Sequence, residues 1–416
     1  METKDNIDVS VIVTVYNIKD YIGACLDSIL NQEGISLELI CVDDVSTDGS
    51  YEMLCEYARK DIRVKVYRNE VNRGLSSTRN VGIRHASGKY FYNIDGDDLL
   101  KPGSLRRLFT CAEENKLDLL SFSAESFFDE NVEPIYDVNE YVRKNAYPGI
   151  WNGPELFVTL LKNDDRATSN MVLYFYNRKF FIENNLFGLE DIRYVDDSMF
   201  SIFMAAERVM VIPDQLYLRR YREGSVVMSP MKKYYLESMI VLFLAEMQVW
   251  QSKHLDQELN RTIEKYFNMR QDSIHSFYHK FKNDPSETPL LNKNAMAAYF
   301  YKYFIQEVPL HRERISAQEI AQLGQADSII LYGAGYIATE TAKILEYNHV
   351  VNYKVAITQK PDKPTFFRGR QVTGIEQLQE ENKTAIVVVA LSRKNFAAIE
   401  KLLEEYGFEN ILWITL

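Results

Sequence analysis

Cysteine is scarce in this chain. Four residues, Cys25, Cys41, Cys55 and Cys111, occur in 416, with no spacing that would cage a metal ion. Cys41 sits inside an apolar run, so the expectation is of buried, reduced thiols and of a cytoplasmic protein rather than a disulfide-stapled secreted one. A surplus of basic residues is missing too. Lys and Arg number 48 against 59 Asp and Glu, a net charge of −11, which argues against a nucleic-acid partner because binding a phosphate backbone requires a positive face. No stretch approaches the roughly 18 apolar residues of a membrane span, and the opening METKDNIDVS has no apolar signal region. Internal repeats and low-complexity tracts are absent as well.

What is there is the composition of an acidic globular protein, 46% hydrophobic and 26% charged, long enough for two or three domains at roughly 100–200 residues each. Its 27 Tyr and 22 Phe serve either as core filling or as site walls offering a ring face and a hydroxyl together.

The first hundred residues alternate strand and helix signals at short spacing, the pattern of a parallel sheet with crossover helices. VSVIVTVYN reads as a buried strand, and LELICVDD, IRVKVYRN and KYFYNID as three more, with helical periodicity between them. Polar residues gather where these strands end: Thr14, Tyr16 and Asn17, then Asp43 and Asp44, then Asp95 to Asp98. Ligands of open α/β sheets bind at that edge, so separate stretches point to one crevice. From Leu117 to Ile212 the signals mix, with strands expected at LDLLSFSAESFF and ATSNMVLYFYN and a helix at GPELFVTLLKN. The reading is an α/β fold in three parts: a first domain over 1–228, a helical region rich in Tyr, Phe and Met over 229–315, and a small Rossmann-like α/β domain over 316–416.

The stretch YFYNIDGDDLLKPGSL places Asp95, Asp97 and Asp98 within four residues. Like charges so close repel, and burying them is costly unless something positive meets them. Carboxylates at Asp-x-Asp spacing can share a hard divalent cation, Mg²⁺ or Mn²⁺, whose shell is completed by water and a substrate phosphate, and Gly96 is expected to ease the crowded backbone. An acidic surface turn is the plain alternative. In VDDVSTDGS, Thr47 and Asp48 suit helix capping, whereas Asp43 or Asp44 could accept a hydrogen bond from a ligand ring nitrogen or hydroxyl.

In this order and at these intervals VSVIVTVYN, VDDVSTDGS, NRGLSSTRNVGI and YFYNIDGDDLLKPGSL resemble the nucleotide-binding half of inverting family 2 glycosyltransferases of the GT-A fold, closely over Val9 to Leu105 and more weakly to about Ser225. The resemblance implies that Thr14, Tyr16 and Asp44, with Asp43 beside it, hold the nucleoside of a UDP-sugar donor. It also implies that Arg79 orders the donor pocket and that Asp95 and Asp97, with Asp98 in the same turn, face the metal and diphosphate. Such an enzyme needs a base to take the acceptor's proton. The family's acidic pair has its counterpart in RYVDDSMF, where the resemblance makes Asp197 the base and Asp196 its neighbour; helix capping is the alternative for both. In YLRRYREGSVV, Arg222 and Ser225 correspond to the residues brought toward the diphosphate, although Arg219, Arg220 and Arg222 could equally form a solvated face. The family implies a glycan or lipid-linked glycan acceptor and surface-polysaccharide assembly at the inner face of the cell membrane, with peripheral contact through the aromatic stretch Tyr234 to Trp250 left open.

Near the C-terminus GAGYIA, Gly333 to Ala338, follows a strand and opens a helix. The spacing fits a dinucleotide turn, but the second strand ends in Thr358 and Gln359 rather than an acid, so Gly333 and Gly335 either bind a second ligand or merely let helix and strand approach. An oligomerisation surface is compatible with both. The competing functional classes are a non-catalytic nucleotide-sugar binder or dinucleotide-sensing regulator, and a nucleotidyltransferase on the same sheet.

Overall fold

In a computed structural model the structure describes residues 7–130, 132, 139, 141–165, 170–192, 199–225, 232–281, 289–301, 315–391 and 395–414. The chain divides into two compact units, Met1–Gln271 with Ser286–Leu290, and Asp272–Pro285 with Leu291–Leu416.

The first unit opens as its sequence pattern demands. Strands β1 (Val9–Val15), β2 (Leu37–Asp43), β3 (Val64–Arg68) and β4 (Tyr90–Asp95) are parallel and ordered β3-β2-β1-β4, with helices α1 (Lys19–Leu30), α2 (Ser50–Lys60) and α3 (Leu75–His85) as crossovers. β1 and β2 are buried along their whole length, which explains their near-continuous apolar runs. Helix α3 lies directly on β1: a Cβ at Gly82 would come within 2.3 Å of Ile12 Cγ2, so only glycine permits that approach.

Beyond β4 the sheet turns mixed. It continues through β5 (Leu99–Leu100), helix α4 (Ser104–Glu114), β6 (Leu119–Phe128), β7 (Ile150–Trp151), α5 (Gly153–Lys162), β8 (Tyr174–Asn177), α6 (Arg178–Glu183), α7 (Met199–Ala205) and β9 (Val209–Tyr221). Among the described residues nine strands form one sheet, β3-β2-β1-β4-β8-β6-β9-β5, with β7 on β9. The strand expected at ATSNMVLYFYN is shorter than read, since a 3₁₀ turn over Met171–Leu173 precedes Tyr174 and residues 166–169 lie outside the described residues. β9 runs parallel to β6 but loses step with it: Ser121 faces Val211, whereas Ser123 faces Gln215 and Ala124 faces Tyr217. The extra residues, including Pro213, make an irregularity after which β9 pairs antiparallel with β5, Leu99 facing Leu218 and Leu100 facing Tyr217.

Two long helices follow, α8 (Lys233–Gln251) and α9 (Gln257–Phe281). Two aromatic residues of α8 pack on α9: Phe243 meets Phe267 edge-on and Trp250 stacks on it. Among the described residues no helix is long and apolar enough to cross a membrane.

The second unit contains the short helices α10 (Pro289–Lys293, of which the last three residues belong here) and α11 (Ala295–Phe300). Helix α12 (Ala317–Gly324) begins with a capping box between Ser316 and Glu319. Then come β10 (Ser328–Tyr332), α13 (Tyr336–Tyr347), β11 (Tyr353–Ile357), β12 (Phe366–Phe367), β13 (Arg370–Gly374), β14 (Ala385–Ala390), α14 (Phe396–Glu405) and β15 (Asn410–Ile414). The six strands form a second sheet, β12-β13-β11-β10-β14-β15, parallel except for β12. Alternate residues of β10 fill two cores, Ile329 and Leu331 with Ala342 and Leu345 of α13, and Ile330 and Tyr332 with Leu403 of α14.

At the amino end of the first sheet, Glu38 is buried and accepts from Ser10 Oγ (2.6 Å), the Ser87 amide (2.7 Å), Ser87 Oγ (2.8 Å) and Lys65 Nζ (2.5 Å). Burial alone would raise its pKa, but these bonds outweigh it and hold the carboxyl below its ordinary 4.5. A lowered folded value means the stabilisation is complete above the unfolded value and is lost as pH falls through the folded one. Urea midpoints measured from about pH 6 down to about pH 3 are expected to fall less steeply in Glu38→Gln than in the parent protein.

Candidate functional site

The carboxyl ends of β2, β1 and β4 lie side by side: Val15 faces Asp43, and Thr14 faces Val42 on one side and Asp95 on the other. Parallel pairing thus brings three of the polar strand ends read from the sequence to one edge. Thr14 is buried, whereas the ring of Tyr16 is 52% exposed just beyond the strand.

The two acids of VDDVSTDGS are both engaged internally. Asp43 is buried, accepts from the Ser46 amide (3.1 Å) and is ion-paired with Arg68 (3.0 Å). Asp44 accepts from Asn69 Nδ2 (2.7 Å) and the amides of Arg73 (2.9 Å) and Gly74 (2.8 Å), so its carboxylate fastens the loop that leads into α3. Asp48 accepts from the Ser50 amide (2.9 Å) at the start of α2 and from the Lys19 amide (2.9 Å) at the start of α1. Neither expected cap forms as such: Gly49 and Ile18 precede the two helices, Asp48 reaches their first amides from outside, and the Thr47 amide donates to Asn17 Oδ1 (2.8 Å).

The acidic stretch is a tight turn closed by the Asp98 amide on the Asp95 carbonyl (3.0 Å). A Cβ at Gly96 would lie 2.5 Å from Ile18 Cδ1, 3.0 Å from Ile22 Cδ1 and 3.0 Å from the Thr14 carbonyl oxygen, so the crowding at this glycine comes from two side-chain ends and from the backbone of β1.

Each of the three carboxylates has its own partner. Arg79 of α3, itself buried, donates to Asp95 Oδ1 (2.8 Å), and Arg222 Nε meets Asp97 Oδ2 (2.7 Å). Asp98 is turned away from the other two, buried, and accepts from the Tyr217 hydroxyl in a short bond and from the Arg220 amide (2.6 Å). Arg220 also donates to the Asp97 carbonyl (2.9 Å) and pairs with Asp129 (2.7 Å). Tyr21 lies under both guanidinium groups, 5.1 Å from that of Arg220 and 4.9 Å from that of Arg222. The arginine run is thus not a solvated face: Arg219 covers the Tyr141 ring at 4.3 Å, and the other two close on the acidic turn.

The charge balance is incomplete even so. Burial and the neighbouring Asp95 raise the pKa of Asp97 despite Arg222, and burial with Asp97 and Asp95 raises that of Asp98 well above the usual carboxylate range. Asp95 and Asp97 remain 33% and 18% exposed, and each ion pair engages one carboxylate oxygen. Two hard oxygen donors at the carboxyl edge of the sheet, each with one oxygen outside its ion pair, fit a divalent cation that keeps water and phosphate in its shell. Asp98, spent on β9, does not. Among the described residues no three Asp, Glu, His or Cys side chains converge to form a complete protein cage.

Ser225 follows in the turn after β9, its amide 3.4 Å from the Arg222 carbonyl. Asp196 and Asp197 lie outside the described residues. The segment leading to them is tied to α3 by Asn80 with Gly188 (2.8 and 3.0 Å) and by Ser77 Oγ with the Asp191 amide (2.8 Å). In the second unit Gly333 has φ +127° and a Cβ there would meet the Ala390 carbonyl at 2.8 Å, so this glycine allows close strand packing, while Gly335 faces open space. Sequence reading missed Tyr217, Arg220 and Tyr21. Tyr217 and Arg220 are three residues apart, so strand alternation does not group them; Arg220 meets Asp98 through its backbone amide, which no sequence pattern announces.

Residues 10–189 match the family described as Glycosyl transferase family 2. The chain is 35% identical over 230 residues to the uncharacterized glycosyltransferase EpsJ of Bacillus subtilis (strain 168), an alignment covering 54% of this chain and 64% of that protein. It is 36% identical over 141 residues to the minor teichoic acid biosynthesis protein GgaB of the same organism, covering 33% of this chain and 16% of GgaB. The chain thus spans less than two thirds of either relative. Among solved structures it resembles S. aureus TarS 1–349 in complex with UDP-GlcNAc, with a TM-score of 0.50 and 19% identity over 82% of this chain and 87% of that one, a likeness of fold. The architecture is accordingly mixed α/β and GT-A-like, with a second sheet in the C-terminal region.

Replacing Tyr217 by Phe leaves the buried Asp98 carboxyl one partner short. Chemical denaturation is expected to show a loss of about 1–3 kcal/mol, the cost of an unsatisfied buried polar group.

Proposed function

We propose, from the premise that residues 10–189 are a Glycosyl transferase family 2 domain, that the protein moves a sugar from a nucleotide diphosphate, UDP in this reading, to a hydroxyl of a glycan or lipid-linked glycan acceptor with inversion at the anomeric carbon. The observation that carries the reading is the partly exposed pair Asp95 and Asp97 at the carboxyl edge of the parallel sheet, each with an arginine at hand. Support for UDP comes from the UDP-GlcNAc named with TarS, and support for surface-polymer assembly from the teichoic acid role in GgaB's name.

In this reading Asp95 and Asp97 would hold Mg²⁺ or Mn²⁺, which supplies charge stabilisation to the departing diphosphate. Arg79 fixes one oxygen of Asp95, so that the other keeps its aim. The exposed Tyr16 ring and Thr14 border the nucleoside, with Asp43 and Asp44 shaping the loops around it. Arg222 and Ser225 stand on the diphosphate side. The acceptor oxygen attacks the anomeric carbon as the bond to the diphosphate oxygen breaks, and its proton passes to Asp197, with Asp196 beside it. The second unit, with helices on both faces of a parallel sheet, reads as Rossmann-like. Action at the inner face of the cell membrane is part of the same proposal.

An isotope-labelled transfer assay across UDP-sugars tests the reading. Asp97→Ala is expected to lose both donor binding and transfer. Asp197→Asn is expected to lose transfer by at least 10²-fold, the scale of a general base, while still binding donor. Donor binding without turnover by the parent protein across a broad acceptor panel would replace the enzyme with a binding protein.

A further inference from the structure

Of the three arginines at the end of β9, two have an acid and one does not. Arg220 pairs with Asp129 and Arg222 with Asp97. The Arg219 guanidinium makes no ion pair and no hydrogen bond among the described residues, although the chain has 59 acidic side chains, and its Nη1 is buried. It lies instead against two rings, Tyr141 at 4.3 Å and Tyr221 at 5.1 Å. Ring faces soften the charge, but they give a guanidinium N–H no oxygen to bond. The Cα partner of Arg219 across the ladder is Ser126 of β6, so the two side chains share a face. Ser126 is 5% exposed, and its hydroxyl is likewise buried without a partner among the described residues. Further along the same face Phe128 is opposite Tyr221 and stacks on it at 4.9 Å. Tyr141 is itself fixed to β6, its carbonyl accepting from the Ala124 amide (3.1 Å). Buried donors left without an acceptor cost stability, and two on one face are prepared for an oxygen that the chain does not supply.

We infer that Arg219 and Ser126 form a binding site for an oxyanion, a phosphate or carboxylate group, carried by the acceptor. A guanidinium offers paired N–H groups in the fork that such oxyanions fit, and the serine hydroxyl adds a further donor. Because Nη1 and the hydroxyl are buried, the anion enters with a side-chain rotation of the kind common at binding surfaces. The anion meant is not the donor's diphosphate. Arg220, the next residue, alternates to the opposite face, where its side chain meets the Asp97 carbonyl and Asp129. That leaves the second substrate. An acceptor longer than one sugar can set its reacting hydroxyl at the acidic turn and a charged substituent at Arg219. The partly exposed rings of Tyr141 and Phe128 offer apolar faces to the sugar carbons beside it. Giving the anion to the acceptor rests on the glycosyltransferase reading, whereas the oxyanion site itself does not.

Calorimetric titration of glycerol phosphate and of glucuronate, with glycerol and glucose as their neutral controls, tests the site in the parent protein, Arg219→Gln, Arg219→Lys and Ser126→Ala. UDP and Mg²⁺ are present throughout to occupy the donor site. At least one anion is expected to bind the parent where its control does not, and the tighter of the two identifies the group. In Arg219→Gln that affinity should fall by about tenfold or more, the scale of a charge-assisted hydrogen bond. Arg219→Lys, which keeps the charge without the planar fork, should fall between, and Ser126→Ala should lose less than Arg219→Gln. UDP affinity is expected to stay at the parent value in all three, which general disruption of the domain would not allow. In the transfer assay the same anion should compete with the acceptor; competition with the UDP-sugar alone would overturn the acceptor assignment. A parent that binds neither anion, or an Arg219→Gln variant that binds as tightly as the parent, overturns the site while UDP binding keeps the glycosyltransferase reading standing. If Arg219→Gln does not fold, Arg219→Lys and Ser126→Ala decide by the same comparison. A parent that binds an anion through Arg219 but no UDP overturns the glycosyltransferase reading and the acceptor assignment, and leaves the oxyanion site.

Discussion

Three carboxylates in four residues can share one turn because positive groups converge on it from two directions. Arg79 comes from a helix set down on β1 through Gly82, and Arg220 and Arg222 come from the far end of β9. Without both, the turn would have to expose its acids fully or neutralise them by protonation. The division of labour within the turn follows from which way each side chain faces. Asp98 is buried and fixes a strand, while Asp95 and Asp97 stay partly exposed, each with one oxygen outside its ion pair.

The two ends of the parallel strands show the same chemistry put to opposite uses. At the amino end Glu38 is saturated with four donors and its pKa is lowered, so its charge is fully spent on holding strands and the start of the β4 connection together. At the carboxyl end burial, with the neighbouring Asp95, raises the pKa of Asp97 although Arg222 is paired with it.

Much of this could be read from the chain because β-α alternation is a local signal. The four parallel strands, their crossover helices and the clustering of Thr14, Asp43 and Asp95 at one edge all follow from period and polarity within windows of a dozen residues. What escaped is long-range or directional. Tyr217 and Arg220 meet Asp98 from about 120 positions away, through a two-residue strand that carries no pattern of its own. Spacing also cannot tell which of three neighbouring acids turns inward, nor that Asp44 has its oxygens committed to the loop of Asn69 to Gly74. Gly96 looked like a concession to its acidic neighbours, whereas the atoms that crowd it, the Ile18 and Ile22 side chains and the Thr14 carbonyl, belong to other elements.

The irregularity in β9 around Pro213 carries a further consequence. While β6 advances from Ser121 to Ala124, β9 runs from Val211 to Tyr217, so β9 takes up extra backbone here before its end meets β5. Shortening that span would pull Tyr217 and Leu218 out of step with Leu100 and Leu99, and the slack in the strand is therefore what sets where the Tyr217 hydroxyl and the Arg220 amide arrive beside Asp98.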